Sequence, residues 1–195
     1  MALTLVLNPG SSTLKYELFE HEKSLLKGSI EKTKDNTESH GFHFEAVQTV
    51  RKQLQDAAID FERVAFIGYR VVHGGTKFSK SVLITDSVMN DIAELSHLAP
   101  LHIPAFIEVF KSCWGVFPNA QSIAVFDTAF HATLDEPTYT YPLPRNISEK
   151  YGIRKYGFHG TSHHYVLEVA AKQLGKDIKE LNAITCHLGA GSSIT

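Results

Sequence analysis

The chain has 195 residues, 19 basic against 21 acidic, for a formal net charge of -2. That near-balance, with no long run of either sign, argues against nucleic acid or an anionic membrane surface as a partner. The length suffices for one full core, or one domain plus part of another, and 43% hydrophobic residues is an ordinary globular composition; yet no apolar run approaches the roughly 20 residues that span a bilayer, and the N-terminus lacks a signal peptide's charged-then-apolar order, so the chain reads as cytoplasmic.

Leu3 to Leu7 is a short apolar run of the kind a buried strand shows, and it stops at Asn8-Pro9-Gly10, where Pro removes a donor and Gly permits φ > 0. Ser11, Ser12 and Thr13 then offer three hydroxyls beside backbone N–H groups, and Lys15 adds a cation. The combination suits an anion, best a phosphate, although an ordinary hairpin with a Ser-rich turn has the same pattern and the Gly-Lys-Ser/Thr ending of a P-loop is missing. Tyr16 to Glu20 and Ser24 to Glu31 read as the next two strands, and Lys32 to His40 is polar, with the composition of a surface loop. Phe42, Ala46, Val50 and Leu54 form the stripe of an amphipathic helix over Phe42 to Ala57. Arg63 to Tyr69 is a buried strand that delivers Arg70-Val-Val-His-Gly-Gly75 into a Gly-rich turn. Asp86 is the expected N-cap of a helix to about His97, and Pro100 and Pro104 frame the next, ending near Gly115. Cys113 and Cys186, far apart in apolar surroundings, read as reduced core thiols.

Ser122 to Phe126 is a further apolar strand, terminating at Asp127. From Ala132 to Tyr151 the chain is rich in Pro, Tyr and Thr without periodicity, which places a connection between two domains there. Gly157-Phe-His-Gly-Thr161 is a turn; Thr161 or Ser162 can cap a helix carrying Val166, Val169, Ala170 and Leu174 that closes at Gly175. Asn182 to His187 reads as a last strand, leading into Gly189-Ala-Gly-Ser-Ser-Ile-Thr195. A strand there needs a pairing partner, so the chain is expected to be the N-terminal portion of something larger. Strands, then helix and strand in alternation, predict an α/β fold with a mixed sheet.

Three polar features recur where strands end: Asn8 to Lys15, Arg70 to Gly75, and Asp127 to His131; Phe158-His159-Gly160-Thr161 is a fourth. Loops at strand ends are where ligands gather in open α/β sheets. One Lys, one Arg, one Asp, two or more His and several hydroxyls can hold phosphates, neutralise a transferring phosphoryl group and position a metal or nucleophile. Each also has a duller reading: Lys15 as a solvated strand residue, Arg70 as half of a structural ion pair, Asp127 as a turn or capping residue. His159 and His163 have the i,i+4 spacing of a metal pair, but no nearby Cys, Asp or Glu completes a zinc centre. His73, His97 and His102 taken singly read as surface or hydrogen-bonded core histidines.

Six motifs carry a resemblance over nearly the whole chain: Asn8-Pro-Gly-Ser-Ser-Thr-Leu-Lys15, Gly68-Tyr-Arg-Val-Val-His-Gly-Gly75, Leu98-Ala-Pro-Leu-His102, Val125-Phe-Asp-Thr-Ala-Phe-His131, Arg154-Lys-Tyr-Gly-Phe-His-Gly-Thr-Ser-His163 and Thr185-Cys-His-Leu-Gly-Ala-Gly-Ser-Ser-Ile-Thr195. In order and spacing they resemble the acetate kinase family of the actin, sugar kinase and Hsp70 superfamily. The resemblance implies a ribonuclease-H-like domain with a mixed five-stranded sheet and flanking helices over residues 1–145, binding acyl phosphate and phosphate, and the start of a similar nucleotide-binding domain over 146–195. It implies a homodimer that moves the γ-phosphoryl of ATP to acetate, reversibly and with Mg²⁺, giving acetyl phosphate and ADP.

Carried over by motif, Asn8 would help position the metal, with Ser11, Ser12 and Lys15 around the phosphates. Arg70 would hold the acetate carboxylate or acetyl phosphate, Val72, Leu101 and Phe158 would form a small apolar pocket for the methyl group, and His102 would belong to the same substrate-binding set. Asp127 would be the catalytic carboxylate, organising metal or water, and His159 would stabilise the in-flight phosphoryl group. His187, Leu188, Gly189, Ala190 and Gly191 would form the second phosphate loop. Three positions depart from the pattern: Pro9 stands where a small residue is usual, Ile103 where Asn is, and Ala190 where Asn is, so an amide that could reach a phosphate is replaced by a methyl group. In the family the remaining half supplies the adenosine pocket, a second transition-state arginine and a metal-binding glutamate, so these 195 residues alone are expected to have little or no activity. Propionate or butyrate kinase is the nearest alternative, with Val72 favouring acetate; a degenerate, non-catalytic binding or dimerisation module is the alternative of another class.

Overall fold

A computed structural model of the chain describes residues 2–33 and 41–195. Residues 34–40 of the expected surface loop lie outside the described residues. By contact the chain forms two compact units, Met1–His73 with Ser81–Val125, and Gly74–Lys80 with Phe126–Thr195.

The first unit is built on β1 (Leu3–Pro9), β2 (Thr13–Glu20) and β3 (Lys23–Glu31), an antiparallel meander. Side chains alternate between the faces of a strand, and Leu3, Leu5 and Leu7 of β1, with Leu14, Tyr16 and Leu18 of β2, are buried on one of them. Helix α1 (Phe42–Asp56) then makes the crossover that a parallel neighbour requires, and β4 (Val64–Val71) runs parallel to β1. The sheet order is β3-β2-β1-β4-β6-β5. It has six strands, not the five expected, because β5 (Val82–Leu83) pairs antiparallel with β6 (Gln121–Phe126). Two residues are too few to show a period in the sequence.

Helices α1 and α3 (Ile103–Val116) pack on each other and on the buried face of the sheet. Phe106, Val109, Phe110 and Cys113 recur at the spacing of a core-facing stripe, and Phe106 and Phe110 each meet the Tyr69 ring edge-on at 5.8 Å between centroids. Helix α2 (Asp86–Glu94) lies between β5 and α3 and continues as a 3₁₀ turn, Leu95–His97. Its cap is Thr85, whose hydroxyl accepts the Val88 N–H, and not Asp86. Asp86 instead sits in the first turn, where its charge complements the helix dipole.

The cysteines divide. Cys113 is 1% exposed in the core, and burial pushes its thiol up to about 12. Cys186 is exposed in the two-residue strand β7 (Cys186–His187), so the expectation of two core thiols fails there. Only the thiolate attacks a disulfide reagent. One thiol is therefore expected to react in the native protein near neutral pH and two after denaturation; two fast native thiols would contradict the burial of Cys113.

The second unit carries a 3₁₀ turn (Phe130–Thr133), α4 (Glu136–Tyr139), α5 (Arg145–Tyr151), α6 (Gly160–Leu174), and a ribbon of β7 (Cys186–His187) with β8 (Ser193–Ile194). The segment read as irregular thus holds two short helices, one capped by Asp135 and the other ended by Gly152 at φ 62°. Neither is long enough to write a stripe into the sequence. The Arg154 guanidinium lies 3.7 Å over the Tyr139 ring, and Lys155 N–H donates to the Tyr139 carbonyl at 2.7 Å, tying the segment after α5 back to α4. Helix α6 closes at Gly175 as expected, but the last strand is shorter than Asn182 to His187: it covers Cys186 and His187, with Thr185 exchanging backbone hydrogen bonds with Thr195 beside it. Among the described residues no helix is long and apolar enough to cross a membrane.

Candidate active site

In the first unit, strand register assembles the site. Leu7 pairs with Tyr69 across β1 and β4 and with Tyr16 across β1 and β2, and all three face the core. The next positions therefore face the other way, and Asn8, Lys15 and Arg70 form one row across three adjacent strands. Asn8 is paired with Lys15, and Arg70 Nη1 donates to Asn8 Oδ1 at 3.0 Å. Asn8 thus stands in the row between two basic residues, one of them bonded to its amide oxygen, an arrangement that draws anions.

The turn above this row is tighter than expected and differently built. β1 runs on through Pro9, which is buried, and Gly10 N–H donates to the Thr13 carbonyl at 2.7 Å. Gly10 does not use a positive φ; its glycine character serves close approach, since a Cβ there would lie 2.8 Å from Thr13 Oγ1. Ser11 and Ser12 are exposed at the tip. His43, which sequence reasoning missed, buttresses the turn from α1: its ring nitrogens lie 2.8 Å from the Gly10 carbonyl and 2.7 Å from Glu108 Oε2 of α3. In a trans peptide the C=O and the following N–H point in opposite directions, so holding the Gly10 carbonyl toward α1 turns the Ser11 N–H away from it. The missed signal was a histidine on the apolar face, because the buried positions of α1 are Phe42, His43, Ala46, Val47, Val50 and Leu54.

Val72 follows β4 and is half-buried. Leu101 is 70% exposed in the turn before α3. His102 is the residue before that helix, and its buried Nδ1 has no hydrogen-bond partner among the described residues. A buried nitrogen without a partner is rare and calls for one.

In the second unit Asp127 follows β6 and is 1% exposed. Gly160 N–H donates to its carbonyl at 2.9 Å, and Thr161 Oγ1 lies 3.4 Å from its Oδ1. Only glycine allows this approach, since a Cβ at Gly160 would stand 2.4 Å from the Asp127 oxygen and 2.7 Å from Phe130 Cβ. Gly160→Ala is expected to cost ~1–3 kcal/mol by overpacking, read as a lower melting temperature; an unchanged one would mean that the junction yields.

His159, directly before α6, adopts the left-handed conformation at φ 54° and ψ 26°. For a non-glycine residue that costs on the order of 1 kcal/mol, and such strain clusters at functional sites. The expected Thr161 or Ser162 cap does not form. Thr161 turns to Asp127, and Ser162 Oγ lies 3.0 Å from His187 Nδ1. The His159 and His187 rings stack at 4.0 Å. His159 Nδ1 is 3.0 Å from Ser193 Oγ, and His163 lies between Ser193 Oγ and Thr185 Oγ1 at 2.7 Å each. Both nitrogens of His163 are thus committed to hydroxyls. Burial, and then the neighbouring His131, His187 and His159, hold His163 below the ordinary imidazole range.

Gly189 N–H lies 3.4 Å from Ser192 Oγ in the turn between β7 and β8; Leu188, Ala190 and Gly191 are exposed, and a Cβ on Gly191 would come 3.7 Å from His159 Nε2. Phe158 is 37% exposed, and its carbonyl is 3.1 Å from His131 Nε2. The first unit therefore holds Asn8, Ser11, Ser12, Lys15, Arg70, Val72, Leu101 and His102, and the second holds Asp127, Phe158, His159 and the segment from His187 to Gly191. The Asn8 amide oxygen of the first unit is a hard donor of the kind Mg²⁺ takes alongside phosphate and water; among the described residues no group of three or more His, Cys, Asp or Glu could hold a metal ion.

A family model described as the acetokinase family matches residues 3–195. The chain belongs to that family. Among its members, the acetate kinase of Bacillus velezensis is 47% identical over 213 aligned residues, which cover 100% of this chain and 54% of that protein. The chain thus spans about half the length of the curated acetokinase relatives it matches. Of solved structures, acetate kinase from Porphyromonas gingivalis superimposes with a TM-score of 0.89 at 38% identity, and a propionate kinase from Francisella tularensis with 0.89 at 39%. Each match covers 100% of this chain and 54% of the other. The mixed α/β architecture is therefore the one these kinases share.

Proposed function

We propose that the chain is the N-terminal portion of an acetate kinase, with residues 1–145 as its acyl-phosphate and phosphate-binding domain and 146–195 opening the nucleotide-binding domain of a homodimeric enzyme. The observation that carries this reading is the Lys15–Asn8–Arg70 row, in which Asn8 stands between two basic residues and accepts a hydrogen bond from Arg70. Acetate is already ionised at neutral pH, so no proton has to be taken from it. The task is to align two anions and offset their repulsion. Arg70 binds the carboxylate; Lys15, Ser11 and Ser12 serve the phosphate oxygens; Val72, Leu101 and Phe158 supply apolar surface for the methyl group, and His102 belongs to the same substrate-binding set. His159 donates to the phosphoryl group in flight, and the turn from His187 to Gly191 offers backbone N–H groups to the nucleotide phosphates. Asn8 would help hold Mg²⁺, which when bound neutralises charge on the phosphate oxygens, and Asp127 would be the catalytic carboxylate, organising metal or water.

The equal match to a propionate kinase keeps the longer acids as a second reading. Trapping acyl phosphates as hydroxamates, with ATP and Mg²⁺ and the full-length protein, compares acetate, propionate and butyrate. The highest kcat/KM is expected for acetate. A preference for a longer acid overturns that choice, and no product from any of the three leaves the non-catalytic module. Because the chain spans about half of its relatives, it is expected to turn over little or no acetate alone; turnover matching a full-length relative would overturn that expectation.

A further inference from the structure

We infer that Ser193 and His163 are positioning residues that fix the tautomer of His159, keeping the ring hydrogen on Nε2. The consequence for phosphoryl transfer rests on the role proposed for His159; the tautomer itself does not.

Thr185 Oγ1, His163, Ser193 Oγ and His159 Nδ1 form a continuous chain of 2.7, 2.7 and 3.0 Å links. A hydroxyl has one hydrogen to donate, and a neutral imidazole has one N–H. Ser193 Oγ stands between two ring nitrogens, so when it donates to one it accepts from the other. The neutral chain then has two consistent arrangements. In one, Thr185 donates to His163 Nδ1, His163 Nε2–H donates to Ser193, and Ser193 donates to His159 Nδ1, which leaves hydrogen on His159 Nε2. In the other every bond is reversed, both rings carry hydrogen on Nδ1, and His159 Nε2 is bare.

Free histidine prefers the Nε2–H form, and the first arrangement gives both rings that form while the second gives it to neither. His163 is buried among His131, His159 and His187, which hold it below the ordinary imidazole range and so disfavour the protonation that would break the chain. The stacked His187 ring, itself held at Nδ1 by Ser162, keeps the plane of His159. His159 is thus a hydrogen donor at Nε2 while uncharged. The reversed chain would turn a lone pair toward a phosphate oxygen.

Nitrogen NMR of the histidine side chains in this chain, at about pH 8 where histidines are ordinarily neutral, reads the tautomer directly. His159 is expected as Nε2–H in the wild type, as a mixture of both forms in Ser193→Ala, and again as Nε2–H in Ser193→Thr, which keeps the hydroxyl. An Nδ1–H or mixed His159 in the wild type, or an unchanged His159 in Ser193→Ala, overturns the inference. In the full-length protein Ser193→Ala is expected to lower kcat about tenfold, the lower end for loss of an orienting partner, with KM for acetate little changed. A fixed tautomer in a protein that makes no acyl phosphate would count against the proposed function alone.

Discussion

Replacing His159 with Ala is expected to lower kcat of the full-length protein by about 10²–10³-fold, the usual loss when one preorganised donor to a charged transition state is removed, while KM for acetate stays within a few-fold. The split follows from placement. His159 sits in a left-handed turn before α6 with its Nδ1 committed to Ser193 and its face against His187. A side chain restrained on three counts can stabilise charge without reorganising. Because Ala keeps the strained backbone, the substitution removes the ring without relieving the turn; His159→Gly, which relieves it, should melt higher than His159→Ala. An unaltered kcat would take His159 out of the machinery.

Replacing Arg70 with Ala is expected to act on KM instead, raising it for acetate by ~10–10³-fold, the range for removing one partner of a hydrogen-bonded charge pair. Part of the effect should be indirect, since Arg70 Nη1 also donates to Asn8 Oδ1 and its loss leaves that oxygen free to reorient. Arg70→Lys should recover little, because a lysine cannot present two parallel donors to a carboxylate. Steady-state kinetics in acetate for both variants checks this. An unchanged KM in Arg70→Ala would mean that Arg70 does not hold the acid.

The sequence was most legible where one periodicity dominated. Leu3, Leu5 and Leu7 alternate into the core, α3 repeats its apolar residues at helical spacing, and Gly175 closes α6 at a positive φ. β5, α4 and β8 escaped because two to four residues cannot express a period. The residues at strand ends were legible as polar groups, but their partners were not. His43 reaches Gly10 from 33 residues away in sequence, and Ser193 reaches His159 across 34. Such pairs depend on which elements pack together, and local pattern carries no record of that. Gly10 points the same way: what matters there is the close approach of Thr13, which composition does not encode.

The Lys15–Asn8–Arg70 row also times its own appearance. Asn8 and Lys15 meet through a local hairpin, but Arg70 is 62 residues from Asn8 and arrives only when the α1 crossover has laid β4 beside β1. Contacts of long sequence separation form late, after the loop between them has been closed. Until then the hairpin presents a single cation, and an anion gains its second only from the completed sheet. Binding of phosphate to this row would therefore favour the folded chain over every less complete state, making the ligand a reporter of correct strand pairing as the protein folds.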